Sequence, residues 1–389
     1  MTYIEFFDLD AVENICSCLV SAPDRVILIG DNMNKLKLHA RRYQSLFRNR
    51  GMNIEFICKT VNKNRLNSIV DLLSDIVEKY EDCVFDLTGG EDLMLVAVGI
   101  VCHRYRDMNL QLSRINLRTG VLYDCDEDGI FIPREFLPML TVDENIAVFG
   151  GKVIYDDERS GTTRRWSWTE DFMNDILLMW ELCRKNVRDW NAQMDTFAAT
   201  DIVSPSRIVS GLMQNGLISG KQQANGCYRI TYKNDQVRRC LTKAGQALEM
   251  YITLKAMLAV DTDGDPVYND VCNGVFIDWD GVVHQENAEY DTENEIDVMA
   301  MHRMVPVFIS CKNGAVGMDE LYKLNTVATR FGGKYAKKIL IANALGGDTS
   351  FVSYFRQRAV DMKIRLIENI QNMTETEVDK MIRSLWKAP

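Results

Sequence analysis

The amino-acid sequence predicts an α/β protein whose N-terminal part is a parallel, doubly wound sheet. Three observations carry that prediction: short apolar runs of strand length recur, each is followed by a segment of helical spacing, and two of the runs end in glycine-containing loops. The first run is RVILIG (25–30), and residues 33–50 follow it with helical spacing and many Lys and Arg. NIEFICK (53–59) is the second run. Residues 64–80, NRLNSIVDLLSDIVEKY, then set Leu66, Ile69, Leu72, Leu73, Ile76 and Val77 on one helical face. CVFDLTGG (83–90) is the third strand, and EDLMLVAVGIVCHRY (91–105) reads as an apolar helix. In QLSRINLRTGVLYD (111–124), alternating runs flank Arg118, Thr119 and Gly120, which predicts a hairpin.

The stretch GGKVIYDDERSGTTRR (150–165) is glycine-rich and charged, and marks a domain boundary. Residues 168 to about 192 read as helical. Residues 201–240 give a helix around IVSGLMQNGLIS and two strand-like pieces, CYRITYK and QVRRCLT. That helix-then-hairpin order fits a winged-helix-like module or a plain linker. From residue 243 the order is αβββαβα: the helix AGQALEMYITLKAM, the strand GVFIDWDGVV, two paired strands in NEIDVMAMHRMVPVFISCKNG, the helix MDELYKLNTVATRFGG with glycines suited to a C-cap, the strand KKILIAN, and a helix over 353–363. The expected organisation is therefore 1–150, 151–242 and 243–389.

The chain has 389 residues, 47% hydrophobic and 26% charged, a composition that fits a folded protein with ample core. It contains no run of about 18 uncharged apolar residues. The start MTYIEFFDLD lacks the basic opening and small-residue cleavage site of an export signal. Its 11 cysteines include Cys16-x-Cys18 but no CxxC pair. Reduced thiols, a cytoplasmic location and no structural zinc are the expectations. The net charge of −10 argues against a protein that coats nucleic acid in bulk, though charge summed over a chain says little about one cleft.

Chemistry concentrates in residues 294–314. Side chains two apart in a strand share a face, so Glu295 and Asp297 point one way, as do Phe308, Ser310 and Lys312. Pairing of the two strands across the M-H-R-M turn brings Asp297 to face Ser310 and Lys312. An acid on one strand and a lysine on the next can serve metal-dependent phosphodiester hydrolysis. Carboxylates hold Mg²⁺ or Mn²⁺ through hard oxygens, and the lysine orients water or offsets transition-state charge. Alternation turns the Cys311 thiol away from this face. The four histidines fall in no catalytic motif.

This stretch resembles the PD-(D/E)xK nuclease superfamily. The resemblance implies that Glu249 is the helix acid, Asp297 the strand acid and Lys312 the strand lysine. It also implies that the Cys311 carbonyl joins the metal shell. Ser310 departs from the family pattern, which has an acid there. Glu320, at the start of the next helix, and Glu295 are the two candidates to replace it.

In the N-terminal part, Gly30-Asp31-Asn32 and Thr88-Gly89-Gly90-Glu91 follow the first and third strands, at the ends where such sheets bind ligands. The second loop opens into a helix, so its backbone N–H groups can cradle an anion. Neither loop is GxGxxG and no Walker lysine follows, which disfavours an ordinary dinucleotide or ATP site. The half resembles the CARF domain, a Rossmann-like sensor. The resemblance implies a homodimer with one symmetric pocket for a cyclic oligoadenylate, lined by Gly30, Asp31, Asn32, Thr88, Gly89, Gly90 and Glu91. Lys59, at the end of the second strand, is a further phosphate candidate or a solvated lysine.

The pairing of these halves resembles the ancillary nucleases of type III CRISPR antiviral defence. The implied activity is sequence-nonspecific cleavage of single-stranded DNA, RNA or, by nicking, duplex DNA. Mn²⁺ or Mg²⁺ would be the cofactor, cyclic tetra-adenylate the allosteric activator, and no membrane would be involved. Two other classes stay open: a ligand-gated transcription regulator, and a cyclic-oligoadenylate sensor whose nuclease is inactive.

Overall fold

The computed structural model describes residues 1–116, 121–125, 131–134, 138–155, 163–282 and 293–389. The turn expected at 118–120 and part of the stretch 150–165 lie outside them. The chain forms two compact units. One comprises Met1–Lys152, Arg303–Val305 and Phe331–Tyr335, and the other comprises Val153–His302, Pro306–Arg330 and Ala336–Pro389.

The first unit holds seven strands: β1 (Thr2–Phe6), β2 (Arg25–Gly30), β3 (Glu55–Thr60), β4 (Cys83–Asp86), β5 (Gln111–Asn116), β6 (Val121–Cys125) and β7 (Phe131–Arg134). They form one sheet in the order β3-β2-β1-β4-β5-β6-β7. Strands β1 to β5 pair in parallel, while β6 and β7 join antiparallel. Its helices are α1 (Cys16–Ser21), α2 (Met33–Asn49), α3 (Leu66–Lys79), α4 (Asp92–Arg104) and α5 (Val142–Val148). The apolar face of α3 does what its spacing predicts: Ile69, Leu73, Ile76 and Val77 pack with Ile4, Ile27 and Phe85 of the sheet and Val98 of α4. Helix α4 is apolar on its outer side as well, with Leu93, Leu95, Val96 and Ile100 exposed.

Strand β1 is a correction to the expected sheet, which began at Arg25. Every residue of TYIEF is buried between β2 and β4. The strand hides because it carries an acid. Glu5 is 1% exposed and Asp86, at the end of β4, is 0% exposed. Burial pushes both carboxyls above their ordinary range, and the neighbouring acid raises Glu5 further. One proton shared between them removes the cost of a buried charge pair. Ser17 Oγ donates to the other side of Asp86.

The chain then runs through β8 (Lys152–Val153), α6 (Glu170–Lys185), α7 (Val187–Ala199), β9 (Ile202–Val203), α8 (Arg207–Gln214), β10 (Ile218–Gln222), β11 (Tyr228–Tyr232), α9 (Asp235–Leu241) and α10 (Gln246–Met257). It continues with β12 (Asp270–Asp278), β13 (Glu293–His302), β14 (Val305–Lys312), α11 (Met318–Gly332), β15 (Lys337–Ala342), α12 (Thr349–Asp361), β16 (Ile364–Ile367) and α13 (Glu375–Arg383). The larger sheet here has the order β16-β15-β14-β13-β12-β8. A small sheet, β10-β11-β9, accompanies it. Helix α10 is the centre of the packing, buried along most of its length, with Tyr251 stacked on Trp180 at 4.9 Å.

Within residues 201–240 two further details differ from the sequence expectation. Helix α8 stops at Gln214, and Gly216, at φ +70°, turns the chain into β10. The hairpin is therefore β10–β11, and QVRRCL is the helix α9. Asn234 caps that helix by accepting from the Val237 N–H at 2.9 Å, and Val237, Cys240 and Leu241 turn inward at helical spacing. Short apolar runs of this kind do not separate strand from helix by pattern alone.

The buried Glu5–Asp86 pair has a consequence for stability. Unfolded Glu5 ionises near its ordinary value of 4.5, while folding holds it protonated. The folded chain therefore binds more protons, and stability falls as pH rises above that value. Chemical denaturation of Glu5→Gln, which keeps a donor toward Asp86, is expected to show a flatter pH dependence than wild type as pH rises above the ordinary Glu5 value of 4.5.

Candidate functional site

Alternation along β13 and β14 builds the site. Val298 and Ala300 of β13 and Val307, Ile309 and Cys311 of β14 enter one core. The intervening positions, Glu295, Asp297, Ser310 and Lys312, therefore project from the opposite face. The strands are neighbours in the sheet and are joined by a two-residue turn in which Arg303 takes φ +59°.

Asp297, 9% exposed, is held by three donors that converge on Oδ2. Ser310 Oγ donates at 3.1 Å, the Cys311 N–H at 2.7 Å and Lys312 Nζ at 3.4 Å. Oδ1 accepts no hydrogen bond from the described residues, so one oxygen remains open for a cation. Ser310 thus serves Asp297 as a donor. Cys311 reaches it through its backbone, while burial pushes its thiol well above the ordinary range and leaves it inert.

Glu249 lies in the first turn of α10 and is 3% exposed. Ligand oxygens of Glu249, Glu295 and Asp297 lie within 4.8 Å of one another. Burial pushes the Glu249 carboxyl up to about 7; Lys243 opposes this, and Asp297 and Glu295 add to it. Lys243 Nζ bridges Glu249 at 3.2 Å and Glu295 at 3.1 Å. Lys312 Nζ sits 3.0 Å from Glu320 Oε2, and Lys323 takes the other Glu320 oxygen at 3.2 Å. Burial works against the charge on Lys312, but Asp297 and then Glu320 hold its pKa above the ordinary value. Of the two candidate replacements for an acid at Ser310, Glu295 joins the acid group and Glu320 pairs with Lys312.

The backbone at Asp297 is shaped locally. The β12–β13 ladder pairs Asn273 with Val298 and Val275 with Ile296, and no pair forms between them at Gly274 and Asp297. Gly274 adopts φ +58° there, a conformation that costs other residues more. Asn273 Nδ2 donates to the Asp297 carbonyl at 3.2 Å, and its Oδ1 accepts from Gln246 Nε2 at 3.1 Å. A cavity of about 250 Å³ lies against Asp297, Ser310, Lys312 and Glu320. Another, of about 280 Å³, lies against Lys243, Asn273 and Glu295.

In the first unit, the loops after β2, β3 and β4 meet through Lys63. Its Nζ lies 3.4 Å from Asp31 and 2.6 Å from Glu91. Asn32 caps α2 by accepting from the Lys35 N–H at 3.1 Å, and Glu91 holds the cap position of α4. Thr88 is fixed at both ends: its N–H donates to Asp86 and its Oγ1 accepts from the Ile115 N–H at 2.8 Å. Gly30 closes β2. Gly89 and Gly90 pack on Phe6. A Cβ at Gly89 would meet the Phe6 carbonyl at 2.9 Å, and Gly90 sits at φ +98°. Lys59 lies on β3, half-buried.

The sequence reading did not reach Lys243, Asn273 or Lys63. Lys243 precedes its helix in an unremarkable turn, and Lys63 is one of many surface lysines. Gly274, the first residue of the expected run GVFIDWDGVV, lies inside β12, where a glycine often marks a break or a close backbone approach. Asn273→Ala removes the bond that braces the Asp297 carbonyl and leaves Gln246 unpaired. Urea unfolding is expected to show a loss of about 1–3 kcal/mol.

The sequence matches no family model and no curated protein. Solved structures do share the fold. Protein VC1899 from Vibrio cholerae superposes with a TM-score of 0.74 at 18% identity, covering 99% of this chain and 97% of that one. Can2 from Sulfobacillus thermosulfidooxidans, in complex with cyclic tetra-adenylate, gives 0.68 at 18% identity over 98% of this chain and 97% of its own. A type III CRISPR defence DNA nuclease activated by cyclic oligoadenylate gives 0.51 at 14% identity over 89% of this chain and 46% of its own. The likeness to the first two runs through both units, so the chain shares their fold along nearly its whole length.

Proposed function

We propose that this protein is a metal-dependent nuclease switched on by a cyclic oligoadenylate, cyclic tetra-adenylate in particular, in type III CRISPR defence. One observation carries the reading: Glu249 of α10 meets Glu295 and Asp297 of β13, which line one cavity with Lys312 of β14, in a fold shared with a protein bound to cyclic tetra-adenylate. Residues 1–150 are assigned to sensing, 243–389 to cleavage and 151–242 to a connection, either a plain linker or a winged-helix-like module. The exposed apolar row on α4 suits the homodimer that a symmetric sensor pocket requires.

The donor set fits a hard divalent ion. Three carboxylates within 4.8 Å, each with one oxygen that accepts no hydrogen bond from the described residues, are oxygen ligands of the kind Mg²⁺ and Mn²⁺ take. Bound there by Glu249, Glu295 and Asp297, such an ion would polarise the scissile phosphate and acidify a water. The chain's own groups do the rest. Lys312, kept protonated by Asp297 and Glu320, offsets negative charge that develops on the phosphate. Ser310 and the Cys311 N–H fix the rotamer of Asp297, and Glu320 fixes Lys312. Lys243 places a second cation at the acids. In the sensor, Asp31, Asn32 and the Thr88–Glu91 loop line the ligand pocket, and Lys63 reaches between them. Ligand that binds the active arrangement more tightly shifts the population toward it.

The test incubates full-length protein with plasmid, single-stranded DNA and single-stranded RNA plus Mn²⁺, with and without cyclic tetra-adenylate. Cleavage is expected only with the ligand. Asp297→Asn and Lys312→Ala are each expected to lower the rate by at least about 100-fold. Glu320→Ala is expected to lower it less, because Asp297 still holds the lysine. Undiminished cleavage in Asp297→Asn would overturn the site. Sequence-specific binding without cleavage would point to a regulator, and ligand binding without cleavage to an inactive sensor.

A further inference from the structure

The cavity beside Lys243 is unlike its neighbour. The cleft at Lys312 is walled by acids and lysines, whereas this one is walled by Arg164, Arg239, Lys243 and the ring of Trp166. Glu295 lines both, so the two clefts adjoin at the acid group. Trp166 is half-buried and stacks on Phe172 at 5.7 Å with the ring planes 10° apart, which holds the indole in place. Arg239 is positioned on α9 by Asp235 at 2.8 Å. Arg164 is exposed and has no carboxylate partner among the described residues. In a chain of net charge −10, these cations and a rigid aromatic at one cleft are a local reversal of charge.

We propose that this cleft is a subsite for the nucleotide next to the scissile phosphate, and that the strand it takes is single-stranded. The proposal rests on the nuclease reading above and names the substrate form. The argument is chemical. Arginine is suited to a backbone phosphate, which it meets with a planar fork. Trp166 offers a fixed π-surface on which a base stacks, and stacking is tolerant of sequence because every base has a π-face. A base inside a duplex is already stacked and does not reach such a ring without being flipped out. At about 280 Å³ the cleft is of a size with a single nucleotide. A strand lying across the acids then places one phosphate at Lys312 and the adjoining nucleotide over Trp166, with Lys243 between them.

The experiment uses full-length protein with cyclic tetra-adenylate and Mn²⁺, and compares wild type with Arg164→Glu, Trp166→Ala and Trp166→Phe. Arg164 is exposed, so its variant tests the cleft without disturbing the core. On the single-stranded oligonucleotide that wild type cleaves, Arg164→Glu and Trp166→Ala are expected to raise KM about ten-fold or more, with a smaller change in kcat. Trp166→Phe is expected to recover most of the loss. The same substitutions in an Asp297→Asn background are expected to weaken oligonucleotide binding by fluorescence anisotropy to a similar extent. An unchanged KM in both variants overturns the subsite while leaving the nuclease reading standing. A loss of equal size on duplex nicking overturns the single-strand assignment. Wild type that cleaves no polynucleotide overturns the nuclease reading, and the subsite with it.

Discussion

Charge crowding at Asp297 is the constraint around which the second unit is organised. Three carboxylates within 4.8 Å, two of them largely out of water, repel one another and are costly to ionise without compensation. The fold meets this with two lysines from different directions. Lys312 comes from the strand beside Asp297, and Lys243 comes from the turn that precedes α10. Neither ammonium alone reaches all three acids: Lys312 pairs with Asp297 and Glu320, and Lys243 with Glu249 and Glu295. The antiparallel strands, the broken ladder at Gly274 and the Asn273 brace all fix where these charges fall.

The first unit solves a similar problem in another way. Glu5 and Asp86 are more deeply buried than any acid at Asp297, and among the described residues no lysine or arginine pairs with either. Here the pair keeps a proton, and hydroxyl and thiol groups from α1 complete it. A protonated pair is a structural device that closes the central strand into the sheet. A charged group ringed by lysines stays ready for exchange with a divalent ion or a phosphate. The contrast in counter-charge, more than the number of acids, separates a brace from a candidate catalytic site.

How much of this the sequence displayed follows from the range of each interaction. The period-2 reading placed Asp297, Ser310 and Lys312 on one face, because alternation is a local property of a strand, and the structure sets them together. The helix-forming spacing of 64–80 was equally local and is met by α3. Strand β1 escaped notice because its acid becomes acceptable only beside Asp86, a partner outside the strand. QVRRCL misled for the opposite reason: its β-branched and apolar residues suited either state, and the cap at Asn234 decides it. Lys243 and Asn273 were invisible because what they do depends on which chain segments fold against them. The glycines at 89 and 90 were visible as a turn, but the reason they must be glycine, the approach to Phe6, was not.

The acidic balance of the chain and a cleft suited to a polyanion do not conflict. Electrostatic interactions between exposed charges are screened beyond about 8–10 Å in physiological salt. A net charge of −10 spread over 389 residues therefore sets long-range repulsion, while a phosphate at the cleft meets only the groups within reach. At the second cleft those groups are Arg164, Arg239 and Lys243, and the nearby acids there are already engaged: Glu295 with Lys243, and Asp235 with Arg239. On the proposed reading, such a surface would bind nucleic acid weakly when approached at random and more strongly once a strand lies along the cleft. On that reading, this is the behaviour a ligand-switched nuclease needs.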